Sequence, residues 1–109
     1  MTPDELREWC LSMPGAIEDF PFGPETSVFK INKKIFALSR LREAPLKVSL
    51  KCEPLLAESL RASYEAIVPG YHLNKRHWLT VTHGGDFEDR HVRDLVQDSY
   101  DLVKPKRLR

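Results

Sequence analysis

The order of periodic segments predicts an α+β fold, a mostly antiparallel sheet with three helices packed on one side. Three stretches carry that prediction. Residues 2–13 open with a capping box and continue as an amphipathic helix, residues 46–51 alternate as a half-buried strand, and residues 92–103 repeat their apolar side chains at helical spacing. Between them lie more β-rich runs and one further helical pattern. Strands therefore group together, with helices before, between and after them.

Thr2 is placed to cap the first helix, Pro3 suits its first turn, and Glu5 completes a Thr-x-x-Glu box. Leu6, Trp9, Cys10 and Met13 follow at i, i+3, i+4 and i+7, one apolar stripe, until Pro14-Gly15 ends the helix. Cys10 on that stripe reads as a small buried hydrophobe. Asp4, Glu5 and Glu8 lie off it, where the helix dipole favours acids. Phe20-Pro21-Phe22-Gly23-Pro24 is too proline-rich for a central strand and predicts an edge or loop segment packing two aromatics. Thr26–Ile31 and Lys34–Arg40 read as strands joined by a tight hairpin at Asn32-Lys33. Asn tolerates the left-handed conformation such a turn needs, Lys33 fits it less well, and Lys33 and Lys34 stand at the tip. In the next strand Leu46, Val48 and Leu50 point inward, while Lys47, Ser49 and Lys51 point outward.

Pro54 opens a second helix, whose buried side is Leu56, Leu60 and Tyr64, with Leu55 and Ala57 beside them. Cys52 stands at or just before its N-terminus, where a thiol pKa can fall. No base or partner cysteine is near in sequence, so a structural role is expected. Ile67-Val68 is a short strand ending at Pro69-Gly70. Trp78–His83 is another, with Trp78, Thr80 and Thr82 on one face and Leu79, Val81 and His83 on the other. After Gly84-Gly85, Asp86 reads as the cap of the last helix, with Asp89 answering it. Val92, Leu95, Val96, Ser99, Leu102 and Val103 form that helix's apolar side, closed by Lys104-Pro105.

A chain of 109 residues predicts a single domain, 1–109, with a short basic C-terminal tail. Apolar content of 41% and charged content of 30% are those of a soluble globular protein. Two cysteines make no disulfide framework, no apolar run approaches the roughly 20 residues of a membrane span, and Met-Thr-Pro-Asp-Glu lacks a signal peptide's basic start. A cytoplasmic protein without membrane contact is expected. It is also expected to be a monomer, since no segment shows a surplus apolar face.

Net charge is only +1, but it is unevenly spread. Residues 1–25 hold six acids and one Arg, whereas residues 26–52 hold seven bases and one acid. Residues 84–103 hold six acids and two Arg, and residues 67–83 hold two bases and no acid. Acids thus fall in predicted helices, while bases fall in strands, loops and tail. This layout predicts a basic sheet side able to orient a polyanion. That strand and helix surfaces simply need charge for solvation is the competing explanation.

The densest mixture of functional groups is Pro69–Trp78, Pro-Gly-Tyr-His-Leu-Asn-Lys-Arg-His-Trp. Lys75 and Arg76 suit phosphate, Asn74 suits a base edge, and protonated His72 and His77 suit phosphate below neutral pH. Tyr71 or Trp78 can stack on an unpaired base. Against this, Trp78 opens an apolar strand and fits a core role, and His72 and Asn74 suit backbone hydrogen bonding inside an irregular turn. With Lys33, Lys34, Lys47 and Lys51, the candidate nucleic-acid contacts are Lys33, Lys34, Lys47, Lys51, His72, Asn74, Lys75, Arg76 and His77.

Lys51-Cys52-Glu53-Pro54, the whole of Pro69–Trp78 and Ser99-Tyr100-Asp101-Leu102-Val103 resemble the signature blocks of the MmcQ/YjbR family. Met13-Pro14-Gly15, Phe22-Gly23 and Lys34-Ile35-Phe36-Ala37 are similar to that family too, in the same order along essentially the whole chain. The resemblance implies a CyaY-like (frataxin-like) fold with a curved antiparallel sheet. It also implies a proposed double-wing DNA-binding surface, with no reaction or cofactor assigned. Together the readings predict a non-catalytic protein binding DNA, or single-stranded nucleic acid, largely without sequence preference. No nucleophile–base arrangement, Gly-rich phosphate loop or H-E-x-x-H is recognised. The alternatives are a small-molecule or metal-handling protein using His72, His77 and His83, whose spacings fit no familiar metal motif, or a protein-interaction adaptor. The nucleic-acid reading requires the cations of the two hairpin regions and the histidine-bearing turn to share one surface.

Overall fold

The computed structural model describes residues 1–70 and 73–106. The elements follow one another as α1 (Pro3–Leu11), β1 (Ile17–Asp19), β2 (Ser27–Ile31), β3 (Lys34–Ser39), β4 (Lys47–Lys51), α2 (Pro54–Ser63), β5 (Ile67–Pro69), β6 (Trp78–Thr82) and α3 (Asp89–Val103). All strand pairs are antiparallel, in the order β1-β2-β3-β4-β6-β5. The α2 crossover skips one place, which β6 fills. A helix of about 10 Å diameter spans two strand spacings of about 4.8 Å, so α2 fits the width it must cross.

Alternation decides the faces. Phe29, Ala37, Val48, Leu50, Ile67, Leu79 and Val81 join one core with Leu6 and Cys10 of α1, Ala57 of α2, and Val92, Leu95, Val96 and Val103 of α3. The three helices therefore cover one side of the sheet. The capping box of α1 forms as its sequence requires: Glu5 N–H donates to Thr2 Oγ1 and Thr2 N–H donates to Glu5 Oε1. Gly15 adopts φ +77°, and a Cβ there would stand 2.6 Å from Ile31 Cδ1, so glycine lets the chain leave α1 against the sheet.

Strand β3 breaks the simple alternation. Its partner register shifts from Phe29↔Ala37 to Lys30↔Ile35, which leaves Phe36 as a bulge. Consecutive Phe36 and Ala37 consequently both enter the core, and Phe36 packs edge-on against Tyr100 at 5.3 Å. The β3–β4 ladder is short, with pairs Ala37↔Leu50 and Leu38↔Ser49. Serine hydroxyls extend it at both ends. Ser39 Oγ donates to the Lys47 carbonyl. Beyond Leu50, Ser99 Oγ of α3 accepts the Lys51 N–H at 2.9 Å and donates to the Phe36 carbonyl at 2.5 Å.

Several local expectations are corrected. A three-residue edge strand, β1, precedes the proline-rich loop; its Ile-Glu-Asp sequence carries no strand signal by itself. Phe20 and Phe22 are exposed, Phe22 at 65%, instead of packing. Leu55 is 82% exposed and Leu56 is exposed too, and Ala57 is the helix's buried residue. Leu102 is exposed while Tyr100 takes the buried position on α3. Asp86 does not cap α3, whose N-cap is Glu88 without a side-chain bond. The Asp86 carboxylate instead accepts the backbone N–H groups of Glu65 and Ala66, fastening the entry to β5. Ser49 points away from the core as expected but is buried, its hydroxyl paired with Thr80 at 2.8 Å. Among the described residues, no helix is long and apolar enough to cross a membrane.

Candidate nucleic-acid interface

Two hairpins project from the same end of the sheet. The first joins β2 to β3 through Asn32 (φ 49°) and Lys33 (φ 69°), both left-handed as a two-residue type I′ turn demands. Lys33 accepts the strain despite its side chain, and the tip presents Lys33 and Lys34 to solvent. The second joins β5 to β6. Its base is tight: the Gly70 N–H donates to the Trp78 carbonyl at 3.0 Å, and a Cβ on Gly70 would come within 2.7 Å of Trp78 Cβ.

The described part of that second turn is organised by Asn74. Its Oδ1 accepts the Arg76 N–H at 2.9 Å, and its carbonyl accepts the N–H groups of His77 and Trp78. Asn74 Oδ1 is therefore engaged with the backbone, the structural alternative weighed from the sequence, and Lys75, Arg76 and His77 are exposed on the loop it holds. The His77 carbonyl accepts the Cys52 N–H at 2.7 Å, which ties the loop to the end of β4. Arg61 of α2 donates to the Lys75 carbonyl at 3.3 Å. His72 and Tyr71 lie outside the described residues.

Register brings these groups to one end. Lys51 pairs with Trp78, so the close of β4 and the start of β6 stand level. Ala37 pairs with Leu50, so the Lys33-Lys34 tip reaches past Lys51 on the same side. Lys33, Lys34, Lys51, Asn74, Lys75, Arg76 and His77 thus share an end of the sheet. Lys47 does not. It pairs with Thr82 at the opposite end of β4, about 13 Å of extended strand from Lys51.

Many of the other cations are matched by carboxylates. Among the described residues, Arg7 pairs with Glu18, Lys30 with Asp19, Arg40 with Glu25 and Glu43, Arg90 with Glu88, and Lys104 with Asp101. Lys33, Lys34, Lys51, Lys75 and Arg76 take part in no such pair among the described residues, and neither do Arg42, Lys47, Arg61, Arg93 and Lys106. At the opposite end an open groove of about 1420 Å³ carries Arg7 and Arg40, each matched by carboxylates, together with Arg42, which has no such partner among the described residues. Behind Lys51, between α2 and α3, a cleft of about 300 Å³ holds Glu53, Asp98 and Asp101. Burial, then the neighbouring Asp101 and Asp94, push the Asp98 carboxyl above its ordinary value.

His77 and His83 flank β6 at its two ends, about 20 Å of extended chain apart, so they do not meet. Among the described residues no three His, Cys, Asp or Glu side chains gather as metal ligands. Burial, followed by Glu18, pushes the Cys10 thiol up to about 12. Burial, then Asp98 and Glu53, raises Cys52 as well, so the helix-terminus effect considered from the sequence does not lower it.

Residues 11–102 match the family model YjbR. The chain belongs to the YjbR family. It is 44% identical over 101 residues to YbdF of Escherichia coli O157:H7, covering 92% of this chain and 82% of YbdF. It is 37% identical over 100 residues to YjbR of Escherichia coli K12, covering 92% of this chain and 85% of YjbR. The crystal structure of DR2400 from Deinococcus radiodurans superposes with a TM-score of 0.90 at 41% identity, over 99% of this chain and 82% of that one. A Pseudomonas syringae protein superposes with a TM-score of 0.82 at 28% identity, over 95% of this chain and 100% of that one.

Within this YjbR-family chain, Arg61 is the site neighbour that sequence reasoning missed. Its helical position carries no mark of the loop it touches, since that contact exists only once the β5–β6 turn folds over α2.

Proposed function

We propose that the hairpin end of the sheet binds nucleic acid through its phosphates, with little sequence preference and without catalysis. One observation carries the reading: the register of β3, β4 and β6 assembles Lys33, Lys34, Lys51, Lys75 and Arg76 at one end, with no ion pair to a carboxylate among the described residues. An unpaired cation offers its full charge to a phosphate, whereas one held by a carboxylate must first give that contact up. In this reading the β2–β3 and β5–β6 hairpins are the two wings of a double-wing DNA-binding surface, and the fold is of the CyaY-like (frataxin-like) kind. The protein acts as a cytoplasmic monomer that needs no cofactor.

Anisotropy titrations of labelled duplex and single-stranded oligonucleotides across a salt series test this directly. Five neutralised phosphates give a slope of about −4.5 in log K against log salt on duplex, roughly 500-fold between 50 and 200 mM. The K33A/K34A/K75A/R76A variant is expected to lose most of that slope. A slope near zero, or a variant that binds as the parent does, overturns the proposal.

A further inference from the structure

The side of the sheet away from the helices has a chemistry of its own. Across it runs a row of paired residues, Leu38, Ser49, Thr80 and Val68. Ser49 and Thr80 share one hydroxyl–hydroxyl hydrogen bond at 2.8 Å and both are buried, so the groups that reach solvent on this face come from the neighbouring rows. Lys51 and Trp78 form the next row, and Lys47 and Thr82 the row on the other side. Strands β3, β4, β5 and β6 contain no Asp or Glu at all. The carboxylates within strands are Glu18 and Asp19 of β1 at the far edge, and Asp19 is already held by Lys30.

Trp78 stands on this face, half-buried, directly across from a lysine. Opposite its other flank is Gly70, which has no side chain to cover the indole. An aromatic ring beside a cation, over an acid-free and shallow floor, matches a base and the phosphate that adjoins it. A duplex cannot use such a surface, because its base faces are stacked inside.

We propose that this sheet face, with Trp78 as the stacking platform and Lys51 and Lys47 as phosphate contacts, takes a nucleic-acid single strand. The inference rests on the phosphate-binding reading of the hairpin end and extends it to the kind of strand bound. Lys47, which the hairpin end excludes, finds its place here, on the same face as Lys51.

The test compares a labelled 12-mer of deoxythymidine, the same length of uridine RNA, and a 12-base-pair duplex, with W78L and W78F variants. Single-strand binding is expected to be at least fivefold tighter than duplex binding. W78L is expected to weaken it by about 5- to 100-fold with duplex binding unchanged, and W78F to keep most of the affinity. In a W9F background, Trp78 fluorescence is expected to quench on adding the 12-mer, a readout that needs no Trp78 substitution. Steep, salt-dependent duplex binding without single-strand preference, or binding without quenching, overturns this inference and leaves the hairpin-end proposal standing. Absence of binding to all three removes both readings.

Discussion

Ser99→Ala tests the packing that holds the site in place. Ser99 is fully buried, and its hydroxyl takes the Lys51 N–H and gives its proton to the Phe36 carbonyl. Alanine deletes one oxygen and strands two backbone groups where the β3–β4 ladder has already ended. A buried unsatisfied group costs about 1–3 kcal/mol, and partial relaxation of the strand ends recovers some of it. The expected loss is therefore about 2–4 kcal/mol, a large share of the roughly 5–15 kcal/mol available to a domain of this kind. Urea unfolding followed by circular dichroism is expected to show a lower midpoint at unchanged m, and Tm to fall by about 10–20 °C. Hydrogen exchange adds a local readout, since the Lys51 amide is expected to lose protection beyond the global change. A stability loss below about 0.5 kcal/mol, or a Lys51 amide as protected as before, refutes the view that this hydroxyl completes the sheet.

Other outcomes follow from the same geometry. On duplex, K75A/R76A is expected to weaken binding by well over tenfold at 0.1 M salt, whereas K47A changes it less than about twofold; equal effects would contradict the placement of Lys47 at the other end. Backbone N–H groups of Ala66 and Glu65 hold the Asp86 carboxyl below its ordinary 3.8, so its contribution is present above that value and lost as pH falls through the folded pKa. D86A is expected to melt below the parent at pH 7, with the gap closing under acid; a gap independent of pH would rule out the carboxylate as cause. Asp98 is the reverse case: its folded pKa is raised, so its folded form favours the protonated state and loses stability as pH rises from 3.8 through the folded value. D98N is expected to raise Tm at pH 7 and to lose that advantage near pH 3, and a destabilised D98N at pH 7 would be inconsistent with crowding by Asp94 and Asp101.

What could be read along the chain was whatever neighbours in sequence decide. Thr2 and Glu5 build their cap within one helical turn, Asn32-Lys33 forces its hairpin by local backbone geometry, and the alternation of residues 46–51 sets which face of β4 meets the helices. The uneven charge was legible for the same reason, since acids and bases cluster within single elements. Tertiary structure decided the rest, because it depends on which distant segments become neighbours. The insertion of β6 between β4 and β5 puts Trp78 level with Lys51, and that register separates Lys47 from the other candidate cations. The bulge at Phe36 follows from fitting β3 between β2 and a hydroxyl on α3, and Ser99 looked like one more residue of an apolar stripe. Leu55 and Leu56 sit outside while Ala57 is buried, because which side of α2 meets the sheet depends on how the helix is laid across it. Periodicity reports how a segment could pack; only the closed sheet determines what stands across from it.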